Sequence, residues 1–332
     1  MVGRLEFKTK RNLKWFGMVP LFDPKEGQTV VDPPGSGRGW WAGAPSVIYD
    51  DQKDRFLLFY RLRKPRELGR GFKCCIAESV DGASFSVIWE GTKEELQSPS
   101  LERASIFKNL DGSYSLYISY VDPKDLRWRM DYLHAESADE FDLRRRFKIF
   151  TAEDIHVEGV KDPYVFLLSG IYYMFISYVP TPPKVDNELK KRMHETADVF
   201  NTGISKSHTA LAVSKDGRSF KWLGDILSPK TGWDGYATRI GCILPAPPVL
   251  AVFYDGSAAV EENYEEKTGL AFTFDLMRYE RVSVERPFLT SPNSSGSLRY
   301  LDAIELDGKI YYYYEYARED GSHELRMNRV NL

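Results

Sequence analysis

The chain has 332 residues with 45 basic and 48 acidic side chains, a net charge of −3, so it carries no electrostatic footprint for nucleic acid. Its three cysteines, two of them adjacent at Cys74-Cys75, make neither a disulfide framework nor a zinc-ligand spacing, and no apolar run reaches membrane-spanning length. The N-terminus, Met1 to Lys8, is charged and lacks the apolar stretch of a signal peptide, which points to a cytoplasmic protein.

Residues 1–40 form a leader that ends in the Gly/Pro-rich loop Asp32 to Gly39 and the pair Trp40-Trp41. Five copies of one pattern follow, each a short apolar strand, a tight polar turn and an aromatic-rich strand. The first runs from Ala44-Pro45-Ser46-Val47-Ile48 into Phe56-Leu57-Leu58-Phe59-Tyr60, and the second from Ala104-Ser105-Ile106-Phe107 into Tyr114-Ser115-Leu116-Tyr117-Ile118. The third runs from Asp162-Pro163-Tyr164-Val165-Phe166 into Tyr172-Tyr173-Met174-Phe175-Ile176, and the fourth from Ile240-Gly241-Cys242-Ile243 into Leu250-Ala251-Val252-Phe253-Tyr254. The fifth runs from Asp302-Ala303-Ile304-Glu305 into Ile310-Tyr311-Tyr312-Tyr313-Tyr314. Asp111-Gly112, Ser169-Gly170 and Asp307-Gly308 supply two-residue turn chemistry to three of these hairpins.

A second repeat, Ala77 to Phe85 and again Ala212 to Phe220, marks a third strand turning into a fourth. Four strands per unit and five units predict an all-β, five-bladed β-propeller with four-stranded antiparallel blades, a single domain over 1–332. Its leader is expected to add a strand to the last blade, since an open ring leaves sheet edges exposed. Spacings of 60, 58, 78 and 62 residues between Ala44, Ala104, Asp162, Ile240 and Asp302 place an insertion in the third unit, at about 181–202. Glu188 to Glu195 within it has helix-forming composition.

The innermost strands of a propeller line its channel, so charges at their beginnings converge on one mouth. Four of the five starts are charged here: Glu102-Arg103, Lys161-Asp162, Arg239, and Arg299 with Asp302; the first presents Trp40-Trp41 instead. Three carboxylates with cations and tryptophans suit sugar chemistry, because cleaving a glycosidic bond takes an acid and a second carboxylate whose pKa values differ. The candidate catalytic residues are therefore Glu102 as proton donor, Asp162 as base or its partner, and Asp302 in reserve. Trp40, Trp41, Arg61, Arg103, Arg239, Arg299, Asp32 and Glu315 are candidates for substrate binding. Strand alternation leaves Glu315 free to face the channel or to pack outward. No cofactor is expected. His156, His194, His208 and His323 show no i,i+4 pairing, so no metal site is expected either.

Val160-Lys161-Asp162-Pro163-Tyr164-Val165-Phe166 with Gly170-Ile171-Tyr172-Tyr173 resembles the Asp-Pro-x-Val…Gly-x-Tyr-Tyr strand pair of the arabinanase/xylosidase family of propeller glycoside hydrolases. Ser214 to Trp222 is similar to an element shared by that family and the β-mannoside phosphorylases. In the phosphorylases, Leu101-Glu102-Arg103-Ala104-Ser105 stands where a Tyr-Asp-Pro-Arg-Val motif lies, which puts Glu102 at the catalytic acid position. Thr238-Arg239-Ile240-Gly241 resembles their fourth blade, which turns a cation toward phosphate. The chain departs from the first family at Gly43-Ala44-Pro45, where a catalytic Asp is expected, and Asp32 is one possible replacement. The resemblance implies an inverting, two-carboxylate glycoside hydrolase acting on an oligo- or polysaccharide. Phosphorolysis and non-catalytic glycan binding are the alternatives.

Overall fold

The structure is a computed structural model that describes residues 19–332; the expectation placed on Met1 to Lys8 lies outside them. The fold is all-β. It consists of five successive antiparallel meanders, designated I to V. Meander I is β2 (Trp41–Asp50), β3 (Arg55–Arg63), β4 (Gly71–Ser79) and β5 (Ser86–Thr92). Meander II is β6 (Leu101–Lys108), β7 (Tyr114–Val121), β8 (Trp128–Ala135) and β9 (Phe147–Phe150). Meander III is β10 (Val157–Leu168), β11 (Ile171–Pro180), β12 (His208–Ser214) and β13 (Lys221–Leu227). Meander IV is β14 (Ala237–Ala246), β15 (Val249–Ser257), β16 (Lys267–Thr273) and the short β17 (Glu280–Arg281). Meander V is β18 (Leu298–Leu306), β19 (Lys309–Ala317) and β20 (His323–Asn331), and its fourth strand is β1 (Gln28–Val31) from the other end of the chain.

Turn chemistry sets the hairpins. Ser169-Gly170 and Asp307-Gly308 have positive φ at both residues, the conformation of the turn that matches strand twist. At Asp111-Gly112 only the glycine does, and a longer loop closes through the Asn109 amide on the Ser113 carbonyl. The insertion carries one helix, α1 (Asn187–His194), capped by the Asp186 carboxylate on the Leu189 amide.

Apolar residues of facing meanders pack into five cores, each between neighbours, and the fifth joins V back to I through Val47, Leu58, Tyr311 and Tyr313. The repeated Ser-x-Asp-Gly turn serves this packing. In both copies the serine hydroxyl accepts the glycine amide at 3.0 Å. The freed glycine carbonyl then accepts a tyrosine hydroxyl of the preceding meander: Gly82 from Tyr313 at 2.6 Å, Gly217 from Tyr117 at 2.7 Å.

The first strands β2, β6, β10, β14 and β18 each contact the next in that order, and β18 also contacts β2. Each is bulged near its start, and Ala44, Asp162 and Tyr300 take left-handed φ there. A left-handed non-glycine residue costs about 1–3 kcal/mol and persists where surrounding structure enforces it. Beyond the bulges, side chains stitch one first strand to the next. Ser46 accepts the Ile106 amide at 3.2 Å, Ser105 that of Val165 at 3.2 Å, Tyr164 that of Ile243 at 3.1 Å, and Asp302 that of Val47 at 2.9 Å.

Candidate active site

The bulges divide the side chains of the first strands into two layers. Before them lies a buried charge network assembled from all five meanders. Glu102 accepts Arg61 Nε at 2.9 Å and Arg63 Nη1 at 2.5 Å. Arg61 continues to Glu315, which Arg299 binds on its other oxygen at 2.6 Å. Arg299 and Arg239 share Glu266, and Arg239 also binds Asp255 at 2.8 Å and Asp162 at 3.2 Å. His323 bridges Glu315 and Glu265 at 2.8 and 2.9 Å, beneath the ring of Trp41 at 4.7 Å. At the centre, Tyr300 lies under the Arg239 guanidinium at 3.6 Å and meets Asp162 with its hydroxyl at 3.2 Å.

Cross-strand register explains how the sequence builds this layer. Gly43 faces Arg61, Lys161 faces Ser177, Arg239 faces Asp255 and Arg299 faces Glu315. Four of the second strands thus contribute one equivalent position each: Arg61, Ser177, Asp255 and Glu315. Alternation puts Arg63 on the same face as Arg61.

Burial and pairing separate the carboxylates. Desolvation works against ionisation of Glu102, yet Arg61 and Arg63 outweigh it and hold its pKa down at about 2. Glu315 is likewise held well below the usual range, with Arg299 and Arg61 overcoming burial. Asp255 moves the other way, raised by burial despite Arg239, with Glu266 adding to the rise. Hydrogen bonds act against that rise: Asp255 Oδ2 accepts Arg239 Nε at 3.1 Å, Arg239 Nη2 at 2.8 Å and the Tyr300 amide at 2.9 Å.

Of the residues singled out from sequence, Glu102, Asp162, Trp41, Arg61, Arg239, Arg299 and Glu315 come together here. Four do not. Asp302 belongs to the stitching layer beyond the bulge, where it accepts the amides of Val47 and Ala303 and faces Arg103 at 3.7 Å. Arg103 is spent on the carbonyls of Pro45 and Gly241. Asp32 lies on the exposed rim, paired with Arg318. Trp40 is half-buried against Gly35. Sequence reasoning missed Arg63, Asp255, Glu265, Glu266, Tyr300 and His323. The alignment of the five second strands would have exposed Asp255 beside Arg61 and Glu315. Nothing local marks Tyr300 or His323.

Above the network runs a groove of about 490 Å³ bordered by Arg38, Trp41, Arg63, Asn201, Asn263 and Tyr264. Below its floor is an enclosed space of about 10 Å³, room for one water, between Lys161, Ser177, Arg239, Asp255 and Asn263. Several buried polar atoms have no partner: Arg63 Nε and Trp41 Nε1 at the groove, Ser177 Oγ at the smaller space, and Asp162 Oδ1 and Arg61 Nη1 within the network. No group of His, Cys, Asp and Glu among the described residues is arranged to hold a metal ion, and no helix there is long and apolar enough to cross a membrane.

No family model and no curated protein sequence matches the chain. Solved structures do. BT0996, in its complex with RGII, aligns with a TM-score of 0.68 at 13% identity, over 92% of this chain and 91% of that one. β-1,2-Mannobiose phosphorylase from Listeria innocua, in complex with β-1,2-mannobiose, aligns at 0.60 and 16% identity over 94% of both chains. A thermostable family-43 glycoside hydrolase aligns at 0.61 and 13% identity over 92% of both. The likeness is one of fold: the chain is built like the propeller-type glycoside hydrolases and mannoside phosphorylases.

Proposed function

We propose that this protein is a single-domain, five-bladed β-propeller closed by its N-terminal strand, and that it hydrolyses glycosidic bonds of an oligo- or polysaccharide. The observation that carries the catalytic part is the set of unpartnered, buried polar atoms around Glu102 and Asp162. Interiors seldom leave such atoms unsatisfied unless a ligand completes them. The fold shared with glycoside hydrolases supports the substrate class.

Roles follow from electrostatics. A donor needs a raised pKa, which Asp255 has and Glu102 lacks, so the donor assigned to Glu102 from sequence moves to Asp255. Asp162 keeps one oxygen free to take a proton from water and serves as base. Glu102 and Glu315, held ionised by their arginines, stabilise positive charge that develops on the sugar ring. Trp41 offers an aromatic face. In this proposal the two carboxylates act by inversion, with water entering opposite the leaving oxygen.

Water is favoured over phosphate as acceptor because carboxylates already balance the charges of Arg61, Arg63, Arg239 and Arg299. Arg61, Arg239 and Arg299 each pair with carboxylates, and Arg103 with carbonyls. Incubating aryl arabinosides, galactosides, mannosides, xylosides and furanosides with and without phosphate tests the proposal. Phosphate-independent release of free sugar supports it. A sugar 1-phosphate establishes phosphorolysis, and a stabilising sugar that is never turned over establishes a binding module.

A further inference from the structure

In this conformation no sugar ring reaches the carboxylates: Glu102, Asp162 and Asp255 are 1%, 0% and 2% exposed. What shuts them in is one side chain and its neighbours. Tyr264 stacks on the Arg63 guanidinium at 4.4 Å, sits 5.7 Å from Lys161 Nζ and 6.1 Å from the Trp41 ring, and forms part of the groove floor. Beside it, Asn263 borders both the groove and the enclosed space beneath.

The segment that bears them is tied to the rest of the fold by side chains more than by its backbone. The amides of Asn263 and Glu265 bond only within their own turns, to Val260 and Glu262, and none of residues 260–265 belongs to a strand. Tyr264 has φ of 76°, a left-handed conformation unfavourable for a bulky residue. Its outer fastenings reach across to the insertion: the Tyr264 hydroxyl to Asp198, and Asn263 Nδ2 to the Phe200 carbonyl at 2.9 Å and Asn201 Oδ1 at 3.4 Å. Its inner fastening is Glu265, held by His323 at 2.9 Å, the Ser295 hydroxyl at 2.5 Å and Arg38 at 3.8 Å.

We propose that residues 260–265 and the 198–201 part of the insertion form a gate. Its Tyr264 ring fills the innermost sugar position, between Arg63, Lys161 and Trp41, and leaves when substrate enters. The strained backbone of Tyr264 favours release, and the hydrogen bonds to Asp198, Phe200 and Asn201 oppose it. The gate therefore makes access to the carboxylates an opening equilibrium of the kind found in lids over active sites. This inference rests on the sugar-hydrolysing reading for its ligand but not for its motion.

Two measurements separate the motion from the ligand. Ser177 lies under the gate, and the native Cys74, Cys75 and Cys242 are fully buried. In S177C, a small thiol reagent is expected to label Cys at 177 at least 100-fold faster than the three native thiols, whose labelling reports unfolding. Equal rates at all four would overturn the gate. In N201C/N263C, oxidation joins the two halves, and turnover of the hydrolysed glycoside is expected to fall at least tenfold and return on reduction. An oxidised enzyme as active as the reduced one would likewise overturn it. Fast labelling at 177 in a protein that turns over no glycoside keeps the gate and refutes the hydrolase. Turnover with labelling no faster than unfolding does the reverse.

Discussion

Glu315 occupies the space in which a side chain at Gly43 would stand: a Cβ at Gly43 would lie 2.1 Å from Glu315 Oε2. The first inner strand lacks a carboxylate of its own, and the second strand of the last meander delivers one to the same place. Glu315 cannot swing away, since Arg61, Arg299 and His323 hold it. Gly43→Ala is therefore expected to destabilise by about 1–3 kcal/mol, the range for overpacking a rigid site. The same change in a Glu315→Ala background should cost close to nothing, and a double-mutant cycle of denaturant midpoints reads the difference.

Glu102→Gln should weaken the fold as well as the chemistry. Removing one partner of a buried ion pair costs about 3–5 kcal/mol; Arg63 loses its carboxylate and Arg61 keeps only Glu315. Activity must accordingly be normalised to folded protein. Because the folded pKa lies below the unfolded one, the stabilisation from Glu102 is full above about pH 4.5 and disappears as pH falls toward about 2. Urea titrations across that window should show the wild type losing its advantage over the Gln variant.

Asp302 gives the opposite pH signature. Burial lifts its pKa to about 6 despite Arg103, so the folded state holds its proton more tightly than the unfolded chain does. Wild-type stability therefore falls, relative to Asp302→Asn, as pH rises from about 4 to about 6, by at most about 3 kcal/mol. Activity per folded molecule should be retained, because Asp302 stitches β18 to β2 outside the charge network. Loss of activity in a stable Asp302→Asn would return this residue to the catalytic set.

Much of the fold was legible because its signals are local: hairpin turns, alternating strands, and a Ser-x-Asp-Gly turn repeated at Ser79 and Ser214. The site was half legible. Glu102, Asp162, Arg239 and Arg299 announce themselves as charges at the starts of first strands, a position that faces the axis in every meander. The same rule misplaced Asp302 and Arg103, because bulges in these strands redirect side chains within two or three residues. Asp255 hides in an aromatic strand and emerges only when Arg61, Ser177, Asp255 and Glu315 are set in register. Tyr300, His323 and Tyr264 owe their places to packing between distant segments, which no local pattern encodes.

The division of labour between Asp255 and Asp162 is tested most directly by varying the leaving group of a hydrolysed aryl glycoside. Asp255→Asn is expected to lose about 10²–10⁴-fold in kcat/KM on a poor leaving group that needs protonation, and far less on a dinitrophenyl glycoside that does not. Asp162→Asn should lose activity on both. Equal losses for the two leaving groups in Asp255→Asn, or full activity in Asp162→Asn, would contradict the account.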